Sequence, residues 1–224
     1  VQMITTPGNA QERWLVDTVH RQAKKAGIEA PEVGIFQQPQ PNAFATGMTR
    51  NRSLVAVSTG LLNTMSQAEI EAVLGHEVAH VANGDMITMA LLQGLLNTFV
   101  IFLSRLAGFF VDKVILKNQR GLGMGYFITS IIAQIFLSCI ATVIALWFSR
   151  RREFRADEGG ARLAGKQNMI NALKKLQQVQ APEDLPGEFA AFGISGSRSS
   201  ISQLFLSHPP LEQRIETLQR AQIL

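Results

Sequence analysis

The chain contains Gly75-His76-Glu77-Val78-Ala79-His80, an H-E-x-x-H pattern inside a run of helical periodicity. On a helix, residues four apart lie one above the other on one face, so His76 and His80 can offer two imidazole nitrogens to a single ion. Glu77 falls roughly 100° round the helix, within reach of a water on that ion without being a ligand. Zinc hydrolysis needs two neutral nitrogen ligands, a third ligand, an open position for water and a carboxylate base, and five residues supply three of these parts. Only four histidines occur in the chain, and two of them stand at ligand spacing. The surrounding residues are apolar, where unpartnered imidazoles would be costly.

The helix that carries the motif is clearly delimited. Ser66-Gln67-Ala68-Glu69 reads as a capping box at its start, Ile70, Val73, Leu74, Val78 and Val81 as its apolar side, and Asn83-Gly84 as its end. Upstream, Asn9 with Glu12 opens a helix that Gly27 closes near Ala26, with Trp14, Leu15 and Val19 facing inward. Val33–Phe36, Asn42–Ala45 and Ser53–Ser58 read as short strands, with Pro39 and Pro41 between the first two and a turn over Gly47–Arg52. The expected fold is α+β but mainly α: a zincin-like metallopeptidase domain, a small antiparallel sheet packed on the His76 helix, and an inserted two-helix transmembrane hairpin. An edge strand beside a metal site can pair with an extended peptide, and Asn42 either anchors such a peptide or makes the turn after Pro41.

The 224 residues are 46% hydrophobic, carry a net charge of +4 with a pI near 9.6, and have a slightly positive mean hydropathy. No basic run with interleaved aromatics is present, which argues against nucleic acid. The arginines cluster beside an apolar span, which favours a membrane surface. A single cysteine, Cys139, lies in an apolar stretch and permits neither an intrachain disulfide nor a thiolate catalyst. The chain begins with Val and has no signal-peptide pattern, so it reads as a fragment whose N-terminal part has been removed.

Asp85 is a natural N-cap for a following helix. Met86–Ser104 has no charged residue over 19 positions and is ended by Arg105; Tyr126–Ser149 is a second uncharged run of 24, followed by Arg150, Arg151 and Arg152 with Trp147 just before them. Both have the length of a bilayer span, the first diluted by Gln93, Gly94 and Asn97. The division is therefore 1–85 as the first part of the peptidase domain, 86–149 as the hairpin insertion with spans about 86–104 and 126–149, and 150–224 as the second part. Gly121–Gly125 reads as a flexible turn. Lysine and arginine are balanced between the two sides, so charge does not fix the orientation. Two spans nevertheless return the chain to one aqueous face, which brings Glu153-Phe154-Arg155-Ala156-Asp157-Glu158 back to the side of His76.

Glu153 and Asp157 are four apart on a continuing helix with no breaker before Gly159-Gly160. Glu153 is assigned as the third zinc ligand and Asp157 as the carboxylate that fixes a ligand imidazole; Glu158, Asp157 and Asp85 are the rivals for third ligand. Residues 168–180 read as an amphipathic helix, 181–200 as a loop able to act as a lid, and Ser207-His208-Pro209-Pro210 as the start of a last helix that includes Arg214. His208 either donates to a tetrahedral oxyanion or merely starts that helix.

His76-Glu77-x-x-His80 followed by Glu153-x-x-x-Asp157 resembles the gluzincin metallopeptidases. The Asn42-Ala43-Phe44-Ala45 strand, the interposed apolar pair and Ser207-His208-Pro209-Pro210 narrow the resemblance to the HtpX-type membrane zinc peptidases, relatives of the CAAX prenyl protease. The resemblance covers essentially the whole chain. It implies a multi-pass protein of the bacterial inner membrane, its zinc site on the cytoplasmic side, that degrades misassembled or damaged membrane proteins under stress. It implies one Zn²⁺ on His76, His80 and Glu153, Glu77 as base, Asp157 orienting a ligand, His208 as a helper, and two further N-terminal spans. The expected activity is that of a zinc metalloendopeptidase whose partners are unfolded membrane proteins and the lipid bilayer. A catalytically silent metal-binding scaffold and a non-peptide amide hydrolase, such as a lipid amidase, are the alternatives.

Overall fold

The structure, a computed structural model, describes residues 1–180 and 209–222. The elements run β1 (Gln2–Met3), α1 (Ala10–Ala26), β2 (Glu32–Phe36), β3 (Ala43–Thr49), β4 (Arg52–Ser58), α2 (Thr59–Thr64), α3 (Gln67–Asn83), α4 (Asp85–Phe110), α5 (Met124–Ala164), α6 (Lys166–Gln180) and α7 (Leu211–Arg220), with one π turn at Val111–Ile115 after α4. The chain divides into two compact units. One holds residues 1–87 with the described residues from 150 onward; the other holds 88–149.

In the first unit the local signals act as physical chemistry requires. The Asn9 side chain accepts the Glu12 N–H at 2.8 Å and Gly27 closes α1 in the left-handed region at φ 71°. Ser66 and Glu69 form the reciprocal capping box of α3, and Gly84 ends that helix at φ 69°. The fully buried core joins Leu15 and Val19 of α1, Val55 and Val57 of β4, Leu74 and Val78 of α3, Leu173 of α6 and Leu218 of α7.

The sheet has the order β1-β2-β4-β3 and is mixed, which corrects the expected all-antiparallel arrangement. β2 runs parallel to β4, while β1–β2 and β3–β4 are antiparallel. The cause is the connection over residues 37–42: it carries the chain past the place where β4 will lie, so the β3–β4 hairpin returns β4 between β2 and β3, alongside β2. Ser58 locks this crossing, donating to the Gln40 carbonyl and accepting from the Asn42 N–H, each at 2.9 Å. β3 also extends to Thr49, into residues expected to form the turn, and is left as an edge strand.

In the second unit both helices are long and apolar enough to cross a membrane. Their large side chains point outward: Phe102 is 61% exposed and Ile135 63%. Apolar surface on that scale is stable in lipid and unfavourable in water, and the protein is a membrane protein. Arg105 does not end α4, which continues to Phe110 and into the π turn. The connector glycines are not a loose turn either. The buried Asp112 carboxylate accepts from Asn118 Nδ2 at 3.0 Å and from the Gly123 N–H at 3.1 Å, and Lys113 Nζ donates to the carbonyls of Asn118 and Gly121. A Cβ on Gly123 would collide with that cluster.

Candidate metal centre

The site is assembled from α3, the first residue of α4, the last four turns of α5 and α7, all in the first unit. His76 and His80 sit one turn apart on α3 with their Nε2 atoms 3.0 Å from each other. Glu153, only 2% exposed, comes from α5 and lies between them, Oε2 at 3.6 Å from His76 Nε2 and Oε1 at 3.4 Å from His80 Nε2. One ligand atom from each of the three residues can be chosen so that all lie within 4.8 Å of one another.

The opposite ring nitrogens both face carboxylates. His76 Nδ1 is 2.9 Å from Asp157 Oδ1, a contact at ion-pair distance but off the straight hydrogen-bonding direction. His80 Nδ1 is 2.6 Å from Asp85 Oδ2. Such contacts favour protons on both Nδ1 atoms and leave two Nε2 lone pairs converging on one point with a carboxylate beside them. Converging acceptors repel unless a cation lies among them, so the donor set fits a divalent metal; two imidazoles and one carboxylate is a set used by hydrolytic zinc.

Behind the cluster, Arg214 of α7 grips Asp157 with two hydrogen bonds, Nε to Oδ2 at 2.7 Å and Nη2 to Oδ1 at 2.6 Å, and its Nη1 is 3.7 Å from Glu153 Oε2. Burial opposes the guanidinium charge, and the Asp157 carboxylate outweighs it. Arg152 adds a second cation at the rim, 3.9 Å from Glu153, and donates to the Asp85 carbonyl at 3.3 Å. Three buried carboxylates thus surround the rings. Their effect on the imidazoles is large: burial alone would lower the His76 pKa, yet Asp157 and Glu153 lift it from 6.5 to about 9. His80 is raised in the same way, Asp85 and Glu153 overcoming its burial. Three carboxylates close to two imidazoles favour positive charge at this point.

The approach of α5 to α3 depends on glycine. α5 does not break at Gly159-Gly160, as expected, but runs through them to Ala164. A Cβ on Gly160 would lie 2.9 Å from the His76 backbone nitrogen, and one on Gly159 would lie 2.5 Å from Ala79 Cβ. These two positions let the helices touch backbone to backbone and bring Glu153 and Asp157 to the rings.

Glu77 is half-buried on the same helix and contributes to the field that keeps Arg214 charged. Asn42 is exposed at the start of β3; its amide donates to Gln38 Oε1 at 3.3 Å, an interaction that belongs to the turn. His208 lies outside the described residues. The roles of two participants are not legible in the sequence. Asp85 reads there as a helix cap and as a rival third ligand, whereas its carboxylate is spent on His80 Nδ1 and α4 starts at Asp85 itself; an acid directly after the Gly84 turn is the available signal. Arg214 carried no local signal, because its partner is 57 positions away.

Comparison with known proteins gives the family of the chain. The sequence model of Peptidase family M48 matches residues 9–222. Protease HtpX of Thioalkalivibrio sulfidiphilus is 58% identical over 223 residues, 99% of this chain and 76% of the relative. Protease HtpX homolog of Nitrosomonas europaea is 59% identical over 219 residues, 98% and 75% of the two chains. Among solved structures, the crystal structure of S. mikatae Ste24p shares the fold with a TM-score of 0.64 at 22% identity; the match covers 95% of this chain and about half, 51%, of that one. A match over nearly the whole length, with relatives sharing more than half of its residues, places the chain in peptidase family M48, a family of metal-dependent peptidases.

Proposed function

We propose that the protein is a membrane-bound zinc endopeptidase in which His76, His80 and Glu153 hold the ion and Glu77 acts as general base. The observation that carries this reading is the convergence of two Nε2 atoms and one buried carboxylate, each ring backed by an acid. Zinc bound there would supply Lewis-acid polarisation of the scissile carbonyl and of the attacking water. Glu77 takes the proton of that water and delivers it to the leaving amine. Asp157 and Asp85 hold the imidazoles in the tautomer that leaves Nε2 free, and Arg214 holds Asp157 in place.

β3, an edge strand whose Ala43 and Ala45 pack on the core, offers unpaired backbone groups to an extended peptide, with Asn42 at its start as an anchor. His208 is assigned as donor to the tetrahedral oxyanion. Unfolded or damaged membrane proteins are the substrates that an edge strand in a membrane protein can receive, and the bacterial inner membrane, with the site on its cytoplasmic side, is the setting assigned to it in this reading. Glu77→Gln tests the assignment: zinc content should stay at one ion per chain while cleavage of an unfolded membrane substrate vanishes. Cleavage at the unaltered rate would refute the mechanism.

A further inference from the structure

The β3–β4 hairpin ends in Met48-Thr49-Arg50-Asn51. Its register slips between Gly47 and Thr49, and a slip of this kind re-aims the residue left without a cross-strand partner. Met48 is that residue. At 84% it is the most exposed large apolar side chain among the described residues. A single exposed apolar side chain carries no meaning by itself; its neighbours supply the context here.

Arg50 folds back on the C-terminal end of α3. Its Nη2 donates to the Asn83 carbonyl at 3.4 Å, and its guanidinium covers Gly84, where a Cβ would meet Nε at 3.1 Å. The next residue, Asp85, opens α4, and the uncharged run begins immediately after it. The hairpin tip is therefore fastened to the chain two residues before it becomes a membrane-crossing helix. Arg52 stands opposite Thr49 at the same tip, and Arg50 and Arg52 are both exposed; the hairpin from Ala43 to Ser58 has no acidic residue of its own, and the acid beside it is Glu32 of β2, which lines one hollow with Met48 and Arg52. An exposed apolar side chain with cations close by in the same hairpin has the chemistry that a layer of anionic lipid headgroups accepts: an apolar group can reach the acyl boundary while cations meet phosphate.

We propose that the β3–β4 tip, with Met48, Arg50 and Arg52, seats in the anionic headgroup layer of the bilayer that α4 enters. Seated there, the tip holds the edge strand β3 at the membrane surface, where an unfolded segment of a membrane protein emerges. The inference rests on α4 crossing the membrane and not on the metal assignment.

The test uses the full chain reconstituted in vesicles of phosphatidylglycerol and phosphatidylcholine. A Met48→Cys, Cys139→Ser variant carries an environment-sensitive fluorophore at position 48; the otherwise unaltered protein carries it at Cys139, in the middle of the second apolar run. The label at position 48 should shift to the blue, be quenched by lipid bearing a spin label near its headgroup, and be shielded from iodide. Arg50→Gln and Arg52→Gln should each weaken the tip's partition about fivefold, and pure phosphatidylcholine should weaken it further. An aqueous spectrum at position 48 with lipid quenching at Cys139 would overturn the proposal while the spans stand. A blue shift without lipid quenching would mean burial in protein and would overturn it as well. If neither label meets lipid, the membrane-crossing reading fails and the proposal fails with it.

Discussion

The two imidazoles are held by different acids for different structural reasons. Asp157 reaches His76 from a separate helix and is itself held by Arg214, whereas Asp85 reaches His80 because the left-handed Gly84 turns the chain back on α3. Removing either acid should loosen a ring without removing a ligand. Asp85→Ala should therefore weaken zinc binding about 10–100-fold with the fold intact, as read by a competing chelator. Arg214→Met should act on the fold instead, since it strands the buried Asp157 carboxylate; a loss of about 3–5 kcal/mol in denaturant unfolding is expected. Protonation has a definite sign. The metal-free His76 pKa of about 9 lies above its ordinary 6.5, so its contribution to stability is complete below pH 6.5 and is lost as pH rises through about 9. Metal needs the neutral ring, so zinc affinity should climb from pH 7 to about 9 and then level off, while the melting temperature of the chelator-treated protein falls over the same range. The i, i+4 pairs His76/His80 and Glu153/Asp157 were readable in the sequence because helical spacing is local. The Asp85 contact was not, because a left-handed residue breaks the period, and Arg214 was not, because nothing local points to a partner 57 positions away.

Among the elements, α3 and α5 set the geometry, and their separation is fixed by Gly159 and Gly160 rather than by side-chain interdigitation. Gly160→Ala should push α5 from the His76 backbone and cost about 1–3 kcal/mol, with zinc affinity falling in step. The sequence suggested a break at this pair, since two glycines weaken an isolated helix; packing against α3 overrides that local preference. Capping signals, by contrast, are local, and Ser66-x-x-Glu69, Asn9 and Gly27 could be read directly. The parallel pairing of β2 with β4 could not, because strand patterning records which face is buried and not which neighbour lies alongside.

At the scale of the whole molecule, the apolar runs and the arginines after the second one are properties of composition, and the membrane character followed from them. The extra turns of α4 beyond Arg105 did not, because a single cation near a helix end can be accommodated at an interface without stopping the helix. Expressed in bacteria, the chain should stay with the membrane pellet through an alkaline carbonate wash; release into the supernatant would contradict the spans. The two helices interrupt the peptidase sequence between residues 87 and 150, yet the three proposed ligands come from both sides of that interruption. The most direct test is therefore zinc analysis with anomalous scattering at the zinc edge on the unaltered protein and on Glu153→Ala. The account predicts one ion bounded by His76, His80 and Glu153 and a large loss of zinc in the variant; full zinc occupancy in Glu153→Ala, or an ion elsewhere, would contradict it.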